Sequence, residues 1–215
     1  MTEHRMDWQR EARTGTAEAV YCAGKSDDQI RAILAAAQGG NRRLLLTRLA
    51  PERHAQLGNL APSDYDPLGQ TGILGPLPPA RLGAGIVAAG TSDLSVATEA
   101  ARTLAFHGYA APVLADVGVA GLWRLLDQLE TLKAHRVLIA VAGMEGALFS
   151  VLAGLVAAPV IAVPAPQGYG VAENGRLALD AALGSCAPGL TVVNISNGFG
   201  AACAAIRILR AGTAP

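Results

Sequence analysis

The stretch from residue 137 to residue 170, VLIAVAGMEGALFSVLAGLVAAPVIAVPAPQGYG, leaves this chain few folds to choose from. Residues 137–141 form an apolar, β-branched run long enough for one buried strand. The turn Gly143-Met144-Glu145-Gly146 follows, then an apolar helical stretch over 147–157 that Pro159 ends, and a second apolar run over 160–163 closed by Pro164. Strand, turn, helix and strand in that order make a βαβ unit and require parallel strands. Strands apolar on both faces belong in a sheet covered on both sides. A membrane-spanning helix needs ~20 uninterrupted apolar residues, whereas Glu145, the two prolines and several glycines interrupt this stretch. No membrane partner is expected. Glu145 falls just past the carboxyl end of the first strand, the edge at which open parallel sheets bind their ligands.

The flanking sequence continues the alternation. A strand over 83–89 is followed by a helix with Val96, Ala100, Leu104 and His107 on one face, closed by Gly108. A strand over 112–115 precedes a helix carrying Val119, Leu122, Leu125, Leu126, Leu129 and Leu132 as one stripe. After the central unit come a helix over 173–183, a strand over 190–195 and a helix over 198–210. The expectation is an α/β fold, a three-layer doubly wound parallel sheet, in residues 81–215. Residues 1–80 read as a small helical segment and linker. A polar arm leads to a capping box, Ser26 with Gln29, that opens a helix running to residue 38 and stopped by Gly39-Gly40. A strand-like run covers 44–49. Residues 57–79, rich in Gly, Pro and Asp and without period, read as the linker.

Composition narrows the partners. Of 215 residues, 51% are hydrophobic and only 16% charged, which favours a chain that covers part of its surface with copies of itself. Seventeen basic residues balance seventeen acidic ones, so no global field calls for nucleic acid or an anionic membrane. The opening MTEHRMDWQR lacks the apolar core of a secretory signal. None of the cysteines, Cys22, Cys186 and Cys203, forms a C-x-x-C pair. Together these point to a reducing, cytoplasmic setting.

Chemistry-bearing residues gather at the predicted strand ends. Gly90-Thr91-Ser92-Asp93 lies between a strand and a helix, and serves equally well as an N-cap or as a phosphate cradle. Asp93, Asp116 and Glu145 each follow a strand, and three acidic groups on one rim suit proton transfer or a magnesium ion. Cys186 stands in a loop bounded by Gly and Pro before the last strand, where a thiol can be exposed and activated; by spacing alone a buried inert thiol fits better. Cys203, among alanines in the last helix, reads as core, and His107 as a structural histidine.

Together these residues resemble the LarB family from about residue 13 to residue 208. The motifs are Tyr21-x-x-Gly24-Lys25-Ser26, Gly90-Thr91-Ser92-Asp93, Asp116-Val117-Gly118-Val119-Ala120-Gly121-Leu122 and Ala142-Gly143-Met144-Glu145-Gly146-Ala147-Leu148. Gly168-Tyr169-Gly170, Ser185-Cys186-Ala187 and Val192-Val193-Asn194-Ile195-x-Asn197-Gly198-Phe199-Gly200-Ala201 complete them. The second half also resembles PurE, a flavodoxin-like carboxylase that assembles as an octamer. The resemblance implies carboxylation of the pyridinium ring of nicotinic acid adenine dinucleotide at carbon 5 by carbon dioxide or bicarbonate. Hydrolysis of the phosphoanhydride follows, in nickel-pincer cofactor biosynthesis. It places the nucleophile on Cys186 and the acidic partner on Glu145, with Asp93 in the catalytic set and Mg2+ assisting anhydride cleavage. Substrate contacts are expected from Gly90, Thr91, Ser92, Asp116, Gly143, Met144, Gly168, Tyr169, Gly170, Asn197 and Lys25. The chain departs from the family pattern at Ala165-Pro166-Gln167, where Thr-Ser-Val is usual, and at Ser196, which replaces an Asp.

Overall fold

The computed structural model describes residues 4–211, which divide into two compact units between Pro78 and Pro79. The first holds the helices α1 (Arg10–Thr14), α2 (Asp27–Gly39) and α3 (Pro51–Gln56). Its strands are β1 (Ala19–Tyr21), β2 (Leu44–Thr47), β3 (Asp64–Asp66) and β4 (Thr71–Leu74). The second holds β5 (Ala84–Ala88), α4 (Leu94–Phe106), β6 (Val113–Leu114), α5 (Leu122–Asp127), α6 (Leu129–Lys133), β7 (Val137–Ala142) and α7 (Ala147–Leu155). It ends with β8 (Val160–Pro164), α8 (Arg176–Leu183), β9 (Leu190–Val192) and α9 (Gly198–Ala211).

The N-terminal unit holds more than the helical segment expected. Its strands form a four-stranded sheet in the order β1-β2-β4-β3, parallel between β1 and β2 and antiparallel elsewhere. Half of that sheet comes from residues 57–79, where the sequence pattern predicts a linker. Asp64-Tyr65-Asp66 carries no apolar alternation because all three residues are only half-buried, so the pairing partner alone makes it a strand. The α2 capping box is formed as expected: Gln29 N donates to Ser26 Oγ at 3.2 Å and Ser26 N to Gln29 Oε1 at 3.0 Å. Ile30, Ile33, Leu34 and Ala37 then face the core of this unit. Ser26→Ala should lower the stability of the N-terminal unit by about 1 kcal/mol, measured by urea unfolding; an unchanged midpoint would mean the helix start is held by other contacts.

In the C-terminal unit five parallel strands run in the order β6-β5-β7-β8-β9. Alternate residues of β7 serve opposite layers, as a pleated strand requires. Val137, Ile139 and Val141 pack with α4 and α9, whereas Leu138, Ala140 and Ala142 pack against Leu125, Leu132 and the residues of α7 and α8. The expected three-layer doubly wound sheet is therefore present. The chain passes from β5 outward to β6 and returns across β5 to β7, so the direction of winding reverses between β5 and β7. Such a reversal opens a crevice at the carboxyl edge.

Two elements differ from their sequence pattern. The leucine stripe over 119–132 breaks at Gln128 into α5 and α6. Only Leu125 and Leu132 reach the core, while Leu122 and Leu126 stay 42% and 46% exposed. The last strand stops at Val192 rather than residue 195, because Asn194 to Asn197 turn away to start α9. Among the described residues no helix is long and apolar enough to cross a membrane.

Candidate functional site

At the reversal between β5 and β7 lies a cavity of about 480 Å³. Its walls come from the segments after β5 (Ala89, Gly90, Ser92, Asp93), β6 (Gly118 to Ala120), β7 (Ala142 to Glu145, then Ala147 and Leu148) and β8 (Gln167 to Tyr169). The four segments are fastened to one another by backbone. Met144 N donates to the Gln167 carbonyl at 2.8 Å, and Val117 N to the Ala88 carbonyl at 3.3 Å. Gly143 presses so closely on Gln167 that any Cβ there would overlap the Gln167 carbonyl oxygen. Met144 turns through a left-handed conformation, φ 51°, which aims the Glu145 side of the loop over the cavity.

Asp93 is the buried anchor of this rim, with 4% of its surface exposed. Its carboxylate accepts from Gly90 N at 2.9 Å and also from the Gly143 N–H, tying the loop after β5 to the loop after β7. The helix-start reading of Gly90-Thr91-Ser92-Asp93 makes Ser92 or Asp93 the N-cap. In the structure Gly90 opens a 3-10 turn over Thr91–Asp93, and Asp93, at the N-cap position of α4, makes no side-chain bond to that helix and reaches back to Gly90 instead. Burial pushes the Asp93 carboxyl above its usual value of 3.8, against the two N–H donors that favour its charge. The folded chain thus holds this proton more tightly than the unfolded chain. Asp93's contribution to stability therefore falls as pH rises from below 3.8 through its folded midpoint. Relative to Asp93→Asn, the wild type should lose stability over that pH range in chemical unfolding; a difference independent of pH would contradict the burial argument.

Of the residues singled out in the sequence, the cavity brings together Asp93, Glu145, Gly90, Ser92, Gly143, Met144, Gly168 and Tyr169. Glu145 is exposed at the rim. Thr91 is exposed in the 3-10 turn before α4, and Gly170 begins the next 3-10 turn; neither lines the cavity. Asn197 caps α9, its Oδ1 accepting from Gly200 N at 2.8 Å. Asp116 takes φ 58°, which turns its carboxylate out of the cavity onto Arg124 at 2.5 Å. Lys25 lies in the N-terminal unit, where its backbone carbonyl accepts from Arg53. Cys186 is exposed in the segment that enters β9 from its amino end, whereas Glu145 follows the carboxyl end of β7; Cys186 does not line the cavity. Its neighbour Ser185 is fixed to Ser150 of α7, Oγ to Oγ, at 2.7 Å.

Sequence reasoning missed Gln167 as a wall of the site. Its Oε1 is buried without a hydrogen-bond partner, and only its position after a strand end signalled it. Cys22 and His107, the residue that caps the end of α4, are structural. Burial pushes Cys22 up to about 12, and His107 Nδ1 donates to the Thr103 carbonyl at 2.8 Å. No group of three His, Cys, Asp or Glu side chains able to hold a metal occurs among the described residues. Asp93 is already committed to two N–H donors, which leaves Glu145 as the cavity's other carboxylate. The donor set does not fit a magnesium ion held by protein groups alone.

Comparison with known proteins matches the same two parts. Residues 1–75 fit the LarB/PurE-like N-terminal domain, and residues 84–214 fit the AIR carboxylase domain. The chain belongs to the LarB family. Its second domain, the one that bears the cavity, is of the AIR carboxylase type. An uncharacterized protein of Methanocaldococcus jannaschii is 50% identical over 119 residues, 54% of this chain. The chain spans 45% of the length of that relative. Two solved structures of Treponema denticola PurE, one of them a variant, align with a TM-score of 0.47 and 20% identity. They cover 62% of this LarB-family chain and 82% and 83% of their own.

Proposed function

We propose that this chain carboxylates the pyridinium ring of nicotinic acid adenine dinucleotide at carbon 5 and hydrolyses its phosphoanhydride, releasing AMP and pyridinium-3,5-biscarboxylic acid mononucleotide for nickel-pincer cofactor biosynthesis. The observation that carries the reading is Glu145, at the rim of a glycine-walled crevice in the AIR carboxylase-type domain of a LarB-family chain. The chemistry explains the residue types. A pyridinium carbon is electron-poor and does not attack carbon dioxide. Addition of the Cys186 thiolate at carbon 4 gives a neutral enamine, and its electron pair forms the new bond from carbon 5 to carbon dioxide. Glu145 then takes the proton from carbon 5, the carbon–sulfur bond breaks, and the ring regains aromaticity with the thiolate restored. Gly143 and Gly168 let the backbone close on Gln167 and Ala172 to form the cavity wall, and Ser92 in the turn that opens α4 suits a ribose or phosphate oxygen.

Because Cys186 lies outside the cavity of its own chain, the thiolate in this scheme comes from a second copy. Leu183, 66% exposed, lies three residues before Cys186; Tyr169, 77% exposed, lines the cavity, and Val171, 92% exposed, stands two residues further on. These exposed apolar side chains are the candidate contacts of a homo-oligomer in which a partner's Cys186 would reach the cavity, an assembly that the low content of charged residues also favours. The purified protein with nicotinic acid adenine dinucleotide and bicarbonate should yield the dicarboxylated mononucleotide and AMP by mass spectrometry. No product from folded protein would overturn the assignment. A second reading draws on the same placement of Cys186: carboxylation of aminoimidazole ribonucleotide, which needs no cysteine. Turnover of that nucleotide by Cys186→Ala would establish it.

A further inference from the structure

Beside the cavity, on the same edge of the sheet, lies a second recess of about 330 Å³ that the proposed chemistry does not use. The two are neighbours along one segment: Leu114 to Val117 line the recess and Gly118 to Ala120 line the cavity. The turn between them is held in place. Gly118 packs so tightly on the Ala89 carbonyl that a Cβ would stand 2.9 Å from its oxygen, and Asp116 is locked in its left-handed conformation on the far side. Across the recess stand Trp123, Arg124, Asp127 and Gln128 of α5 and the residue after it.

These side chains suit a ribonucleoside. Trp123 is 66% exposed, an unfavourable placement for an indole that has no cover and a natural stacking face for a planar base. Asp116, 55% exposed at its side chain, is oriented by Arg124 and has acceptor capacity left for a vicinal diol, the contact by which acidic residues hold ribose hydroxyls. With two carboxylates against one guanidinium, the recess disfavours a phosphate and favours the uncharged end of a nucleotide. The cavity alone is of a size for a mononucleotide, whereas a dinucleotide extends through a diphosphate to a second nucleoside.

We propose that the recess formed by Trp123, Asp116, Arg124 and Asp127 binds the adenosine end of the dinucleotide whose pyridinium end occupies the cavity. The proposal rests on that reading of the cavity. Asp116 then contacts substrate, as the sequence motif implied, but at the ribose of the leaving nucleotide. Release of AMP after anhydride cleavage would empty the recess while the carboxylated product still fills the cavity.

The test uses the full chain with Trp8→Phe, so that Trp123 is the only tryptophan left. Nicotinic acid adenine dinucleotide should quench its fluorescence saturably, and nicotinic acid mononucleotide, bound by calorimetry, should not. The dinucleotide should bind at least tenfold tighter than the mononucleotide. Trp123→Ala, or separately Asp116→Asn, should remove most of that advantage without changing mononucleotide affinity. Equal affinities for the two ligands, or no response of Trp123 while the mononucleotide binds, would overturn the second subsite and leave the cavity reading standing. A Trp123 emission shift that follows protein concentration and not ligand would assign the patch to self-association and overturn it as well. Failure of either ligand to bind folded protein would remove the cavity reading and the recess with it.

Discussion

The variants Cys186→Ala and Glu145→Gln, each expected to be inactive on nicotinic acid adenine dinucleotide, should regain activity when they are dissociated and reassembled together. Glu145 follows the carboxyl end of β7 and lines the cavity, while Cys186 precedes the amino end of β9 and does not. The proposed reaction, which needs both groups at one pyridinium ring, would therefore draw them from two copies. Each variant alone should lose roughly 10²–10⁴-fold or more in turnover, the usual range for removing a positioned proton acceptor and a lower bound for removing a nucleophile. In a random mixture about a quarter of the composite sites pair an intact cysteine with an intact glutamate, so activity should return to about a quarter of the wild-type level. A mixture no more active than its parents would show that one chain supplies both groups, or that Cys186 takes no part. The outcome separates the pyridinium reading from the aminoimidazole one, since the second predicts that Cys186→Ala is active by itself.

Much of the cavity was legible because it depends on local pattern. The βαβ run over 137–164 dictated two adjacent parallel strands, and residues just past their carboxyl ends, Glu145 above all, had to fall on the ligand-binding edge. Gly143 and Gly168 carried the signal of close backbone approach. What sequence could not supply were the partners that arrive from elsewhere in the chain. By pattern Asp93 is one more rim carboxylate, but its two donors, Gly90 and Gly143, come from the loops after β5 and β7 and make it a buried brace. Asp116 shares the strand-end position of Glu145, yet one left-handed φ sends it to Arg124. The β3–β4 hairpin was invisible for a similar reason: Asp64 to Asp66 become a strand only because Thr71 to Ile73 lie alongside. Cys186 is the sharpest case. The motif identifies it, and the parallel topology puts it at the amino end of its strand.

The rigidity of the crevice can be tested at Gly143. A Cβ at this position would overlap the carbonyl oxygen of Gln167, and the backbone atoms on both sides are committed. Met144 N donates to that same carbonyl, and the Gly143 N–H is held by Asp93. The overlap cannot be relieved by a rotamer change, so Gly143→Ala must separate the loops after β7 and β8. The cost should be about 3 kcal/mol, as for a severe overpacking, and the melting temperature should fall by roughly 10 °C. Gly154 provides the matched control. It stands exposed within α7, and a methyl added there would meet nothing within 4 Å, so Gly154→Ala should raise stability by up to about 1 kcal/mol through helix propensity. If Gly143→Ala were as harmless as Gly154→Ala, the two loops would be free to part. A cavity with walls that loose could not hold a flat ring against Glu145. If it is costly, and ligand binding fails with it, the backbone contact between Gly143 and Gln167 is what fixes the shape of the site.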